Sequence, residues 1–185
     1  MELDKAIKSR TSTKKFNSKK PDWRDIIECI DAARYAPVAG GNCTLKFILV
    51  DNKESIKKIA EASQQDFIAA THYVVVICSS PSRLINAYGK QGETYSRQQA
   101  GAAIQNFLLK IQEEGLSTCW VGYFVENQIK KILKIPEETN VEAIFPIGFE
   151  YEKKRSEKVR IDLDNILYFN LYGNKRMKEL KKIDI

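Results

Sequence analysis

A sheet covered by helices, α+β or α/β in class, follows from three features of the sequence: helical and strand-like segments alternate, one run is too apolar for an exposed strand, and no repeat or linker divides the chain. The run Tyr73-Val74-Val75-Val76-Ile77-Cys78 is continuous and β-branched, as a central strand buried on both faces requires. Before it, residues 22–35 carry Ile26, Ile27, Ile30 and Ala33 at helical spacing, and Pro37 with Gly40-Gly41 forbids continuation. Residues 47–50 then predict a strand and residues 53–62 a helix. After it, residues 97–114 predict the longest helix, with Ala100, Ala103, Ile104, Phe107, Leu108 and Ile111 along one side and Gly115 as C-cap. Its stretch Ala100-Gly101-Ala102-Ala103 is small enough for another backbone or a flat ligand to approach closely. Residues 117–122 predict a strand and its exit turn, 126–133 a short helix, and 141–148 the last core strand. Pro146 marks an end or irregularity in that strand, because proline cannot complete a ladder.

At 185 residues, with 43% hydrophobic and 29% charged, the chain suits one domain with a real core, expected over 1–172 and followed by a basic tail or short helix over 173–185. The longest apolar runs are strand-sized, so no membrane span is expected, and the first residues lack the basic-then-apolar order of a signal peptide. Cys29, Cys78 and Cys119 lie in apolar surroundings and predict buried thiols in a reducing cytoplasm; Cys43 completes a scattered set of four. One histidine, His72, and no close cysteine pair leave too few ligands for a metal site. The net charge of +6 comes from a lysine-rich surface and the tail around Lys175 to Lys182. Acidic residues are interspersed with the basic ones and no nucleic-acid motif accompanies them, so a nucleic-acid partner is not expected.

The sharpest feature is a set of cations at opposite ends of the chain. Arg10, Ser12 and Lys14 alternate near the start, and Lys158 and Arg160 alternate near the end. In extended backbone, alternate side chains share a face. Positive groups held at two distant points predict an anion site assembled by folding, with phosphate as the natural guest of Arg and Lys.

These segments, in this order, resemble the nitroreductase-like flavoproteins over nearly the whole chain. Arg10-Thr11-Ser12-Thr13-Lys14-Lys15-Phe16 is similar to that family's Arg-x-Ser-x-(Lys/Arg)-x-Phe segment, and 33–40, Ala-Arg-Tyr-Ala-Pro-Val-Ala-Gly, to its Ala-Pro-Ser turn. Residues 103–106 and 115–122 resemble its central helix and following strand, 141–149 its last core strand, and 158–164 its Lys-x-Arg ending. The resemblance implies an α+β three-layer sandwich with a mostly antiparallel sheet, and a homodimer binding FMN at two interfacial sites. It implies that Arg10, Lys158 and Arg160 hold the FMN phosphate with Thr11 and Ser12, and that Lys14 lies at the pyrimidine edge of the flavin. Backbone N–H groups of Val121 and Gly122 are expected at the ring's N5 and O4 side, and Pro37, Val38 and Ala39 are expected to reach the cofactor from the partner subunit. A glutamine before the valine-rich strand, Gln64 or Gln65, is expected to bond the ring, with Gln65 carried in the site set.

The implied activity is FMN-dependent transfer of hydride from NADH or NADPH to a nitroaromatic, quinone or similar small acceptor by ping-pong kinetics, with no protein nucleophile or acid. Where the family often carries Ser-x-x-Asn-x-Gln-Pro-Trp after the Ala-Pro, this chain has residues 38–45, with Asn42 one place late and Cys43-Thr44-Leu45 in place of Gln-Pro-Trp, which leaves backbone contact as that turn's expected contribution. Residues 81–97, with Tyr88 and Tyr95, are the expected substrate-facing cover, while Cys119, Trp120 and His72 are expected to serve packing. The alternatives are a specialised enzyme of the same superfamily (dehalogenation, flavin breakdown or thiazoline oxidation) and a flavin-binding module without catalysis.

Overall fold

The computed structural model of the protein describes residues 2–152 and 161–177. Its contacts fall into two units, Met1–Lys154 and Arg155–Ile185. The larger holds four strands, β1 (Leu45–Val50), β2 (Tyr73–Ser79), β3 (Ser117–Thr118) and β4 (Asn140–Gly148). They lie in the order β1-β2-β4-β3, and every neighbouring pair is antiparallel. Its helices are α1 (Leu3–Ser9), α2 (Trp23–Ala33), α3 (Lys53–Ser63), α4 (Ser82–Tyr88), α5 (Gln91–Glu113) and α6 (Glu126–Leu133).

Strand β2 is buried along its whole length. Pleating sends Tyr73, Val75 and Ile77 to one face, against Ile26 and Ala33 of α2 and Ala103, Ile104 and Phe107 of α5. Val74, Val76 and Cys78 face the other way, against Ile56 and Ile59 of α3 and Ile129 of α6. The result is a three-layer α+β sandwich on an antiparallel sheet, which settles the α+β or α/β alternative left by the element order.

Element bounds follow local chemistry. Helix α2 starts at Trp23 because Asp22 accepts a hydrogen bond from the Arg24 N–H at 2.9 Å, and α3 starts at Lys53 because Asn52 accepts from Ser55 at 2.9 Å. Helix α5 begins at Gln91, well before the expected Arg97, and most of the expected cover over 81–97 is itself helical. Gly92 permits this: a Cβ there would collide with the backbone carbonyl of Leu84, so only glycine lets α5 cross α4 this closely.

Pro146 stands inside β4, opposite Val74 of β2, and does not end the strand. Its missing donor faces the other way. Val121 and Ile144 exchange both backbone hydrogen bonds at 3.0 Å, so Ile144, and with it Pro146 two residues on, directs its backbone polar groups toward the β3 side. Ser117↔Gly148, Thr118↔Ile147 and Val121↔Ile144 keep one register, which sets Cys119 opposite Pro146. With no N–H from Pro146, the ladder opens there, and the strand expected over 117–122 becomes a two-residue β3 plus a single bridge at Val121.

In the smaller unit, helix α7 (Leu163–Ile166) precedes a pair of packed rings, Tyr168 and Tyr172, with centroids 4.7 Å apart and planes tilted by 47°. Lys175 Nζ lies 4.1 Å from the Tyr168 centroid.

Replacing Gly92 with alanine is expected to destabilise the protein by about 1–3 kcal/mol, the usual cost of overpacking, despite alanine's better helix propensity. A urea unfolding midpoint equal to or above wild type would contradict the close crossing of α4 and α5.

Candidate functional site

Helix α1 ends at Arg10, whose N–H donates to the Ala6 carbonyl at 3.0 Å, and the chain then runs extended along the β3–β4 edge of the sheet. The Thr13 N–H donates to the Thr118 carbonyl at 2.9 Å, the Asn17 N–H to Phe149 at 2.9 Å, and the Tyr151 N–H back to Lys15 at 3.0 Å. Thr13 is buried while Ser12 and Lys14 are exposed, the period-two alternation of a strand. Phe16 anchors the strap, lying so close to Gly148 that a Cβ there would sit 2.8 Å from the Phe16 ring. Arg10 and Thr11 are half-buried where the strap begins.

The strap faces two other segments. Lys14 Nζ stands 5.6 Å from the Phe67 ring centroid, and Phe67 belongs to the 3₁₀ turn Asp66–Ala70 that follows Gln65. Gln65 is half-buried, whereas Gln64 is exposed at the left-handed end of α3 (φ 53°). On the other side lies the opened ladder. Burial pushes the Cys119 thiol above its ordinary pKa, while the nearby Lys14 charge and Ser12 hydroxyl act in the opposite sense. Trp120, 44% exposed, rests its edge on Phe145 at a centroid distance of 5.7 Å.

One expectation about backbone donors is corrected here. The Val121 N–H is spent on the Ile144 carbonyl at 3.0 Å and cannot also serve a ligand. Gly122, next along and exposed, gives its N–H to no backbone acceptor among the described residues, and a Cβ at that position would meet only the Trp120 ring, no nearer than 3.8 Å. Lys158 and Arg160, the cations expected from the far end of the chain, lie outside the described residues.

Pro37, Val38 and Ala39 belong to the α2–α5 layer. There they line a cavity of about 310 Å³ with Tyr95, Gln98, Gln99 and Ala102. The turn after them is shaped by two left-handed glycines, Gly40 (φ 54°) and Gly41 (φ 72°), and Tyr88 Oη occupies the space a Gly40 side chain would need. Tyr88 and Tyr95 pack edge to face at 5.4 Å. Gln99 is buried, and among the described residues neither its Oε1 nor its Nε2 has a hydrogen-bond partner; Thr118 Oγ1, at the edge of the strap, is likewise unpaired. Each such group costs about 1–3 kcal/mol.

Sequence reasoning missed Phe67, the contact of Ser12 with Cys119, and Gln99. The visible sign of Gln99 is its place, with Ser96, at the head of the apolar stripe that continues through Ala100, Ala103 and Phe107. His72 engages the Ser18 carbonyl through Nε2 at 3.1 Å, a structural use. Among the described residues, no cluster of histidine, cysteine or carboxylate groups suits a metal ion. No helix among them is long and apolar enough to cross a membrane. What the site offers is cations, hydroxyls, exposed backbone N–H groups such as that of Gly122, and aromatic edges, a donor set that fits a flat ligand with an anionic tail.

Comparison with known proteins gives the following. The sequence model of the Nitroreductase family matches residues 7–71 and 62–149. A Methanothermobacter thermautotrophicus protein, provisionally named as an NADH dehydrogenase/NAD(P)H nitroreductase, is 29% identical over 156 residues, 82% of this chain and 79% of its own. An iodotyrosine deiodinase from Thermotoga neapolitana is 23% identical over 165 residues, 80% of this chain and 88% of its own. Among solved structures, an FMN-dependent nitroreductase of Clostridium difficile superposes with a TM-score of 0.77 at 23% identity, over 90% of this chain and 98% of its own.

The four free cysteines make the site's burial measurable. Burial pushes Cys29 up to about 12 and Cys78 up to about 11, and raises Cys119, whereas Cys43 is exposed. Thiolate is the reactive form, so a disulfide reagent at pH 8 is expected to label one thiol per chain rapidly in the native protein, and Cys43→Ser to abolish that phase. Rapid labelling of Cys119 would mean that the strap does not cover it.

Proposed function

The chain belongs to the nitroreductase family, and on that premise we propose that it is a homodimeric, FMN-dependent NAD(P)H oxidoreductase reducing nitroaromatic, quinone or similar small acceptors. The observation that carries the reading is the convergence of Ser12 and Lys14, held by the Thr13–Thr118 bond, with Phe67 and the opened 119–122 segment. Arg10, Thr11 and Ser12 hold the phosphate. Lys14 places a cation at the pyrimidine edge, where it favours negative charge. Of the two neighbouring lysines it is the one that lies over Phe67 and acts on Cys119. Gln65 and the Gly122 N–H serve the same ring, and Pro37, Val38 and Ala39 of a second copy cover it.

When bound, FMN supplies the ring that accepts and returns hydride. The residues bind and orient; no side chain needs to move a proton, because water supplies it. Donor and acceptor take turns at one position, which gives ping-pong kinetics. The match to an iodotyrosine deiodinase favours one second reading, reductive dehalogenation in the same cradle.

Purified protein is expected to be yellow, or to become so with FMN, and to oxidise NAD(P)H when a quinone or nitroarene is added. Lys14→Ala is expected to weaken FMN binding by about tenfold, the loss of one charge-assisted hydrogen bond, and Lys15→Ala to leave it nearly unchanged. Protein that stays colourless with excess FMN sinks the proposal. Reducible FMN with turnover of iodinated phenols but not of quinones or nitroarenes selects the dehalogenase reading.

A further inference from the structure

Gln99 lies on the first half of α5, 4% exposed, with both amide atoms unpaired among the described residues. Buried amides are rarely left so, and an orphan of this kind calls for a partner from outside the chain. The place for one is adjacent. Gln99 lines the cavity of about 310 Å³ whose other walls are Pro37, Val38, Ala39, Tyr95, Gln98 and Ala102, and of its two amides Gln98 is exposed while Gln99 is buried. Most of those walls are apolar, which suits a flat ring, and Gln99 is the buried, unpaired amide among them. The terminal torsion of glutamine is soft, and the amide turns toward a ligand without any movement of the helix.

An amide carries an acceptor and a donor side by side, and its complement is another such pair. A carboxamide on an aromatic ring supplies that pair; a ketone supplies the acceptor alone. The flavin's own pyrimidine edge is assigned above to Lys14 and Gln65, at the strap, which leaves Gln99 for the second ring that meets the flavin. Resting on the flavoenzyme reading and on the turn at Pro37–Ala39 covering the cofactor, we infer that Gln99 is a specificity-determining residue that recognises the carboxamide of the nicotinamide donor.

The test uses FMN-loaded protein titrated with nicotinamide and, separately, with its methyl ketone analogue acetylpyridine, followed by the change in flavin absorbance. Wild type is expected to bind nicotinamide about fivefold more tightly, the worth of one hydrogen bond. Gln99→Leu is expected to bring the ratio to about one with FMN affinity unchanged, and Gln99→Met serves if the leucine variant does not fold. Equal affinities in wild type, or a ratio that survives both substitutions, overturns the inference. So does a leucine variant that loses its dimer in sedimentation while keeping the ratio, because the amide then pairs with a second copy of the chain. Wild type that fails to bind FMN overturns the flavoenzyme reading and this inference together, whereas FMN bound without discrimination overturns this inference alone.

Discussion

Seven consecutive buried residues in β2 leave that strand no side for water, and the rest of the architecture answers to this constraint. Both of its faces must be covered by apolar helices, since each buried aliphatic side chain contributes about 1.5–3 kcal/mol that exposure would forfeit. α2 and α5 close one face and α3 and α6 the other. Covering both faces leaves the ends and edges of the sheet as the places where polar side chains can gather. The strap carrying Ser12 and Lys14 lies along the β3–β4 edge.

That edge is polar because it is incomplete. β4 is a full-length central strand, yet its neighbour β3 pairs over only two residues before Pro146 withholds the next donor. On the outer edge of β3, away from β4, the Thr118 carbonyl accepts from the Thr13 N–H and ties the strap to the sheet. A proline that would be a defect in a closed sheet here separates a two-residue ladder from the turn that follows it.

Charge is distributed to similar effect. Most ionic pairs among the described residues are local and exposed, such as Lys8 with Asp4 and Lys58 with Glu54, each within one helix. Lys110 is held above its ordinary pKa by hydrogen bonds to Glu113 and Glu114, and Lys130 lies beside Glu126. Such pairs occupy each charge with a neighbour on its own helix. Lys14 has no carboxylate partner among the described residues and lies over a phenyl ring instead. Its charge therefore stays available, and position, more than the net +6, singles it out.

Periodicity and breaking residues carried much of this in the sequence itself. The buried run over 73–78, the apolar face of α5, the helix at 126–133 and the alternation of Ser12 and Lys14 are all consequences of spacing along the chain, and spacing is local. What the tertiary structure decided is which groups share a space and which donors are already spent. That Val121 gives its N–H to Ile144, that Gly92 lets α5 start early, and that Gln99 lies unpaired beside Pro37–Ala39 each depend on a residue far away in sequence. A hydrogen bond or a collision is a property of two positions at once, and only folding brings the second position into reach.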